Sequence, residues 1–480
     1  MMLNVLKLIC KYEEREILSK KNSHVINLVK LLRKTLYQLG YLALLKINYP
    51  NFLKEYYYIK KNMFKSRNTV ETLQKKRLYE IIKYSIENIS YYKKLARNKS
   101  IKISKESIFE DIKKFPILTK EIIRKNLPDL INKNSMFNYR INTSGGTTGE
   151  PIKIFQDSNF IAKAEAANLA FNEFSGYSLG NKIVMLWGDE REILSHFGST
   201  LTSLKNRIIK NTIFLNTFRM SKDDIYKYLS VIRKEKPKII IAYVQSIYEL
   251  ANFVEKYNLK KISVNSIITT AGVLENTTKD KIEEIFETKV FNRYGSREIG
   301  MIGSSCECSA KLHLNDFQKY VEILDDNDEV LGENEKGHII ITCFTNFMMP
   351  LIRYKIGDIG SLNYSQCNCG RNLLRLNNVH GRVVDIFKNE AGDLVDGEYF
   401  THLFYFRDNV KKFQLIQEDI NEINIKIETI NGKPLKEEIE SDIKEKIRLV
   451  MGDNCNVNFE YVDYIEPDPS GKFRFTISRV

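Results

Sequence analysis

The sequence has no apolar run of the ~18 residues that a membrane-crossing helix needs. Its nearest approach, YLALLKINYPNFL at 41–53, is interrupted by Lys46 and Pro50. The first residues, MMLNVLKLICKYEERE, lack a long apolar stretch and a small-residue cleavage site, so no secretory leader is expected. Repeats, low-complexity tracts and recognised nucleic-acid motifs are also missing, which sets aside arrays and expects no nucleic-acid partner. These absences together predict a cytoplasmic protein. What is present suits a large globular chain of 480 residues, 43% hydrophobic and 11% aromatic. That content fills one large core and a second, smaller one, because single cores stop growing at roughly 250–300 residues.

Acidic residues are scarce at one end. Residues 1–70 hold 14 Lys or Arg against 4 Asp or Glu, so ten of the chain's fourteen net positive charges lie there. Within VINLVKLLRKTLYQLGYLALLK (25–46), Lys30, Arg33 and Lys34 are grouped among Leu, Ile and Tyr. The pattern fits peripheral contact with an anionic membrane surface, or a helix packed on the rest of the chain with its cations in water. The oligomeric state is not readable from the sequence.

Cysteines are few. Of seven, Cys10, Cys343 and Cys455 are scattered, while Cys306-Glu-Cys308 and Cys367-Asn-Cys369 form two tight pairs. In a reducing compartment such pairs point to a metal before a disulfide. His313 follows the first pair. Zn²⁺ takes four N or S ligands in a tetrahedron, and Cys306, Cys308, His313, Cys367 and Cys369 are five candidates. Reduced free thiols are the alternative.

Residues 1–135 read mostly as helix, with LQKKRLYEIIKYSIENISYYKKL (73–95) showing apolar residues at three- and four-residue spacing. Pro116 and ILTKEIIRKNL predict a turn and a short helix. From Arg140 the texture changes. KIVMLWG (182–188), KIIIAYV (238–244), SIITTAG (266–272) and KVFNRYG (289–295) are short β-rich runs, and helical patterns fall at 223–236 and 277–288. This alternation predicts a parallel sheet covered by helices. Residues 319–365 read as antiparallel β. After about residue 385 a strand (422–430), an amphipathic helix (435–451) and another strand (456–465) predict a small α+β unit.

One stretch, INTSGGTTGEPIKI (141–154), offers little to a core. Ser144, Gly145, Gly146, Thr147, Thr148 and Gly149 can present backbone N–H groups and hydroxyls to phosphate oxygens, with no Cβ at the glycines to block approach. A Walker A loop is excluded, because Gly149 leads into Glu150-Pro151 and not into Lys-Ser/Thr.

TSGGTTGEP (143–151) resembles the phosphate loop of the acyl-adenylate-forming superfamily. Four further segments follow in that family's order. FNRYGSREIG (291–300) is similar to its aromatic-Gly-x-x-Glu motif and RYKIGDIG (353–360) to its Tyr-Arg-Thr-Gly-Asp motif. HGRVVDIF (380–387) resembles its hinge motif, and PSGKFRF (469–475) its C-terminal Gly-Lys motif. Within the superfamily the resemblance is to the phenylacetate-CoA ligase branch with the CapK-like proteins.

The resemblance implies an α/β fold: a large adenylation domain with helix-covered mixed or parallel sheets and a small antiparallel β portion, then a small mobile α+β domain. The expected division is a basic extension at 1–70, the large domain at 71–384 and the lid at 385–480. It implies an AMP-forming acid–thiol ligase that uses ATP, Mg²⁺ and CoA and a small carboxylic acid. The loop 144–149 would hold the β- and γ-phosphates, and Glu298 would bind Mg²⁺. Tyr294 would stack on adenine, with Asn292 and Arg293 near its edge and Gly295 and Ser296 alongside. Asp358 would accept from both ribose hydroxyls, Arg382 would reach ribose or phosphate, and Lys472 would bridge the carboxylate and the α-phosphate. Asp385 would be the hinge. The same resemblance favours Cys306, His313, Cys367 and Cys369 for a structural Zn²⁺, while geometry also allows the four cysteines. Two departures stand out: Arg297 in place of a hydroxyl residue before Glu298, and Ile356 in place of Thr before Gly357-Asp358. A CapK-like enzyme that passes the acyl group to an amine in surface polysaccharide synthesis, and a non-catalytic nucleotide-binding scaffold, are the alternatives.

Overall fold

The computed structural model describes Thr35, Leu42 and residues 51–480 other than 134–137, 144–151, 189–210, 378, 380–384, 405, 406, 408 and 467–473. The strands of its larger part, in chain order, begin with β1 (Tyr139–Thr143), β2 (Lys153–Asp157), β3 (Ile183–Trp187), β4 (Thr212–Asn216) and β5 (Arg219–Met220). Next come β6 (Ile239–Tyr243), β7 (Ser266–Thr270), β8 (Lys289–Ser296), β9 (Gly300–Cys306) and β10 (Ser309–Leu314). The last are β11 (Lys319–Leu324), β12 (Gly337–Cys343), β13 (Tyr354–Gly360), β14 (Leu362–Asn363) and β15 (Arg375–Leu376).

A nine-stranded sheet runs β14-β15-β10-β9-β8-β7-β6-β3-β4. The half from β4 to β8 is parallel, and from β8 onward pairing turns antiparallel. The β-branched runs explain the parallel half: β6 is buried at all five positions, as a strand covered on both faces must be. Helices Lys222–Glu235, Val244–Lys256 and Asn276–Ile285 cover one face, packing Leu229, Ile247 and Ile282 on Val184, Ile240 and Ile267. Helix Ser158–Asn172 covers the other, setting Ala166 and Leu169 on Ile241, Ile268 and Phe291. Asp157 fixes where that helix begins. Its carboxylate accepts from Phe160 N at 2.7 Å, and its second oxygen from Phe347 N at 2.7 Å. The antiparallel extension β9–β10 was not legible: GMIGSSC has little β-branched character, yet it is buried almost throughout. β11, β12 and β13 make the separate antiparallel sheet expected at 319–365.

The long helical reading at 73–95 is two helices, Arg67–Asn88 and Ser90–Asn98, separated at extended Ile89. Residues 51–70 of the basic extension pack into the body. Phe52 and Ile59 are buried, Arg77 clamps Glu55 at 2.6 and 2.9 Å, and Arg67 pairs with buried Asp316. The remainder of that extension lies outside the described residues, apart from Thr35 and Leu42. No helix among the described residues is long and apolar enough to cross a membrane.

The C-terminal part holds β16 (Ile386–Lys388), β17 (Leu394–Asp396), β18 (Val410–Asp419), β19 (Glu422–Thr429), β20 (Asn456–Tyr461) and β21 (Thr476–Ser478). A four-stranded sheet β20-β19-β18-β21 packs on helix Glu437–Met451 through Ile423, Ile425, Ile443 and Ile447. The strand, helix and strand expected there are all present. β17 pairs with β5 of the larger part, and Phe387, Val395 and Tyr399 share a core with Phe218 and Tyr243.

Candidate functional site

A cavity of about 420 Å³ opens at the carboxyl ends of β6, β7 and β8, where the nine-stranded sheet changes from parallel to antiparallel. Ligands of open α/β sheets bind in such crevices. β8 brings Asn292, Arg293, Tyr294, Gly295 and Ser296 to its wall, the turn after β8 brings Arg297 and Glu298, and β13 brings Asp358. Two glycines permit this convergence. A Cβ on Gly295 would stand 2.9 Å from Gly300 O, and Gly357, just before Asp358, has φ +99°.

The two motif segments are tied together crosswise. Tyr294 Oη donates to Asp358 Oδ2 at 2.6 Å, and Tyr354 Oη donates to Glu298 Oε1 at 3.3 Å. Tyr354 and Glu298 are both buried. Glu298 Oε2 has no hydrogen-bond partner among the described residues. A buried carboxylate with one oxygen held and one open suits a divalent cation, which takes oxygen ligands.

The Gly/Thr loop itself, Ser144 to Gly149, lies outside the described residues, but its two stems are placed. Thr143 of β1 stands opposite Lys153 of β2. Asn142 Nδ2 donates to Arg297 O at 3.2 Å, and Gln156 Nε2 donates to Arg297 O at 2.8 Å and Glu298 O at 3.4 Å. Both stems of the hairpin are therefore pinned to the backbone that carries Glu298. Arg382 and Lys472 lie outside the described residues as well. Asp385 is described: it pairs with Arg474, accepts from Ser478 N at 2.9 Å, and its own N–H donates to Thr476 Oγ1 at 3.1 Å. The residue expected as hinge is thus fastened to the strand that follows Lys472.

Tyr354, Asn142 and Gln156 were not foreseen. The polar residues flanking the loop on alternating strand positions were the available signal for the last two. Tyr354, next to Arg353 and buried, reads from sequence as ordinary core.

At the β9–β10 hairpin, Cys306, His313, Cys367 and Cys369 place one ligand atom each within 4.8 Å of one another. Cys306 Sγ lies 3.6 Å from Cys367 Sγ, and Cys369 Sγ 3.4 Å from His313 Nε2. Ligands about 2.3 Å (S) and 2.0–2.1 Å (N) from a tetrahedral Zn²⁺ are spaced by about these distances, so the donor set fits. Burial, with Arg371 and Arg375 adding to it, lowers the His313 imidazole to about 4, which leaves it neutral at neutral pH. Burial pushes the Cys306 thiol up to about 12. A cation at the centre would answer that cost. Cys308, the fifth candidate, is exposed and outside the group, and only its backbone N–H reaches it, donating to Cys306 Sγ at 3.4 Å.

Residues 387–479 match the family model described as the CapK C-terminal domain. The chain is 24% identical to Protein CapK of Staphylococcus aureus over 429 residues, 89% of this chain and 93% of that protein. It is 23% identical to the phenylacetate-coenzyme A ligase of Thermus thermophilus over 431 residues, 82% of this chain and 92% of that protein. Among solved structures, a 2-hydroxyisobutyryl-CoA ligase in complex with 2-HIB-AMP and CoA superposes with a TM-score of 0.56 at 16% identity, covering 85% of this chain and 89% of that one. The chain therefore has the fold of the adenylate-forming ligases and is a relative of CapK and the phenylacetate-CoA ligases.

Proposed function

We propose that the chain is an AMP-forming carboxylate ligase that makes an acyl-adenylate at the cavity beside Glu298 and passes the acyl group to the thiol of CoA. The observation that carries this reading is the convergence of Tyr294, Glu298 and Asp358 at the end of β8, with both stems of the Gly/Thr loop pinned to the same backbone. A carboxylate oxygen of the acid attacks the α-phosphorus of ATP, and the bond to pyrophosphate breaks. The thiol sulfur then attacks the acyl carbonyl, and AMP leaves. Such chemistry runs on positioning and charge neutralisation. Asp358 is an ionised acceptor for ribose hydroxyls, fixed by Tyr294. Mg²⁺, when bound, supplies positive charge to the phosphates, and Glu298 is the residue to hold it. The zinc set is closed by four protein ligands and stands apart from the chemistry as a structural brace.

Tyr354 orients Glu298 in this scheme. Tyr354→Phe removes only the hydroxyl, and the expected result is a rise in the KM for MgATP of about five-fold, the scale of one hydrogen bond worth ~1 kcal/mol. Steady-state kinetics at several Mg²⁺ concentrations checks it. An unchanged Mg²⁺ dependence would remove Tyr354 from the site.

A second reading keeps the adenylation and delivers the acyl group to an amine. The match of residues 387–479 to the CapK C-terminal domain favours it. One experiment addresses both. Protein, ATP, Mg²⁺ and hydroxylamine are incubated with a panel of carboxylic acids, and then CoA or an amino sugar replaces hydroxylamine. Hydroxamate formation is the expected result; its absence with every acid, together with absent pyrophosphate release, would leave the scaffold alternative.

A further inference from the structure

Four adjacent parallel strands end in a row of side chains. Trp187 of β3 lies against Tyr243 of β6, with ring centroids 4.5 Å apart. Tyr243 pairs in register with Thr270 of β7, and one step beyond the Thr269–Asn292 pair stands Arg293 of β8. All four line the cavity. Alternation along β8 fixes which way Arg293 faces. Phe291 packs with Ile268 and Ile241 under helix Ser158–Asn172, so Arg293 shares that side and Tyr294 points to the other. Asn168 of that helix reaches the cavity too, opposite the row.

The guanidinium of Arg293 has no hydrogen bond and no ion pair among the described residues. Desolvation on the cavity wall, where the residue is half-buried, lowers it to about 10, with the attraction of Glu165 acting the other way. Buried cations are ordinarily paired, and an arginine's five-donor fork matches a carboxylate in bidentate fashion. A cation held on a pocket wall with no partner among the described residues is a cost to the fold that an anionic ligand removes. The reacting carboxylate is a poor candidate for that ligand, since a tight bidentate pair would stabilise it in the ground state and would have to break as it attacks phosphorus.

We propose that Arg293 is the specificity-determining residue of the acid pocket and pairs with a second acidic group of the substrate, so that the preferred acids are dicarboxylates whose body lies along Trp187 and Tyr243. The inference rests on the adenylation reading for the reaction, and on the pocket alone for binding. It moves Arg293 from the adenine edge to the acid.

Benzoate against 1,4-benzenedicarboxylate and hexanoate against adipate are the probes, read both by thermal shift of the full chain and by hydroxamate formation. The wild type is expected to favour each diacid by about 10–100-fold in affinity and in kcat/KM, the range for one charge-assisted bidentate contact. Arg293→Met is expected to bring that ratio close to one and to raise the ligand-free unfolding temperature, because it deletes a half-buried cation that has no ion pair among the described residues. Arg293→Lys keeps the charge without the fork and falls between. Equal response to mono- and diacids in the wild type, or a diacid preference that survives in both variants, overturns the proposal. Diacid binding that depends on Arg293 without any hydroxamate upholds the pocket and sinks the adenylation reading instead.

Discussion

Lys472→Ala is expected to depress carboxylate-dependent exchange of pyrophosphate into ATP by roughly 10²-fold or more, the scale for losing one preorganised donor aimed at developing charge. Thioester formation from a supplied acyl-adenylate should fall far less. The reason for the split is the placement of Lys472 on the part of the chain that would turn between the half-reactions. The segment just after it is firmly built: Leu415 N donates to Phe475 O at 2.8 Å, and β21 pairs in parallel with β18. Asp385 grips that same segment through Arg474, Thr476 and Ser478. A rotation about residue 385 would carry Phe475 and β21 together with β18, and Lys472 lies three residues before Phe475 in the sequence. Comparing the two half-reactions in one variant separates this role from general damage, which would slow both. Exchange at the wild-type rate in the variant would withdraw the assignment.

How far sequence could reach depended on whether the information was local. The parallel strands were legible because they are β-branched runs such as IIIAY and SIITT, buried on both faces. The motifs were legible because their order along the chain is itself information. The relations between motifs were not. That Tyr294 bonds Asp358, 64 residues away, while Tyr354 bonds Glu298 in return, depends on how β13 approaches the end of β8. The row from Trp187 to Arg293 depends on the register of four strands, and register is a property of pairing, not of any one strand. From sequence alone Arg293 was one more motif residue beside adenine. Strand alternation, with the face fixed by Phe291 and helix Ser158–Asn172, is what turns it to the opposite side from Tyr294. Likewise C-x-C spacing could not choose four ligands from five. The hairpin between β9 and β10 separates the candidates, turning Cys306 inward and leaving Cys308 in solvent.

That choice leads to the second large effect. Protein purified without chelators is expected to carry about one Zn²⁺ per chain, and removing it should lower the unfolding temperature before it alters chemistry. The cluster joins two stretches 61 residues apart, Cys306 on β9 and Cys367 in the loop before β15. Its surroundings are core: Phe174 meets His313 edge-on at 6.0 Å, and Met301, Phe317 and Leu373 fill the same cluster as Phe171 and Ile59. Three thiolates on one divalent cation leave a net negative charge. Arg371 is well placed to balance it, lying over the Phe174 ring at 4.1 Å and bonded to Glu307 at 3.0 Å. Without metal, the buried Cys306 thiol and His313 Nε2 have, among the described residues, only the sulfurs of Cys367 and Cys369 and the Cys308 N–H as partners. Cys369→Ser and His313→Ala should each lose the metal and unfold on the order of 10 °C lower, a few kcal/mol at roughly 2–4 °C per kcal/mol. Cys308→Ser should keep both metal and stability, since its side chain is exposed and outside the set. Elemental analysis and thermal unfolding of the three variants decide the matter. Metal-free wild-type protein, or a Cys308 variant that loses its metal while the Cys369 variant keeps it, would show that this pocket of sulfur is packing and not a zinc brace.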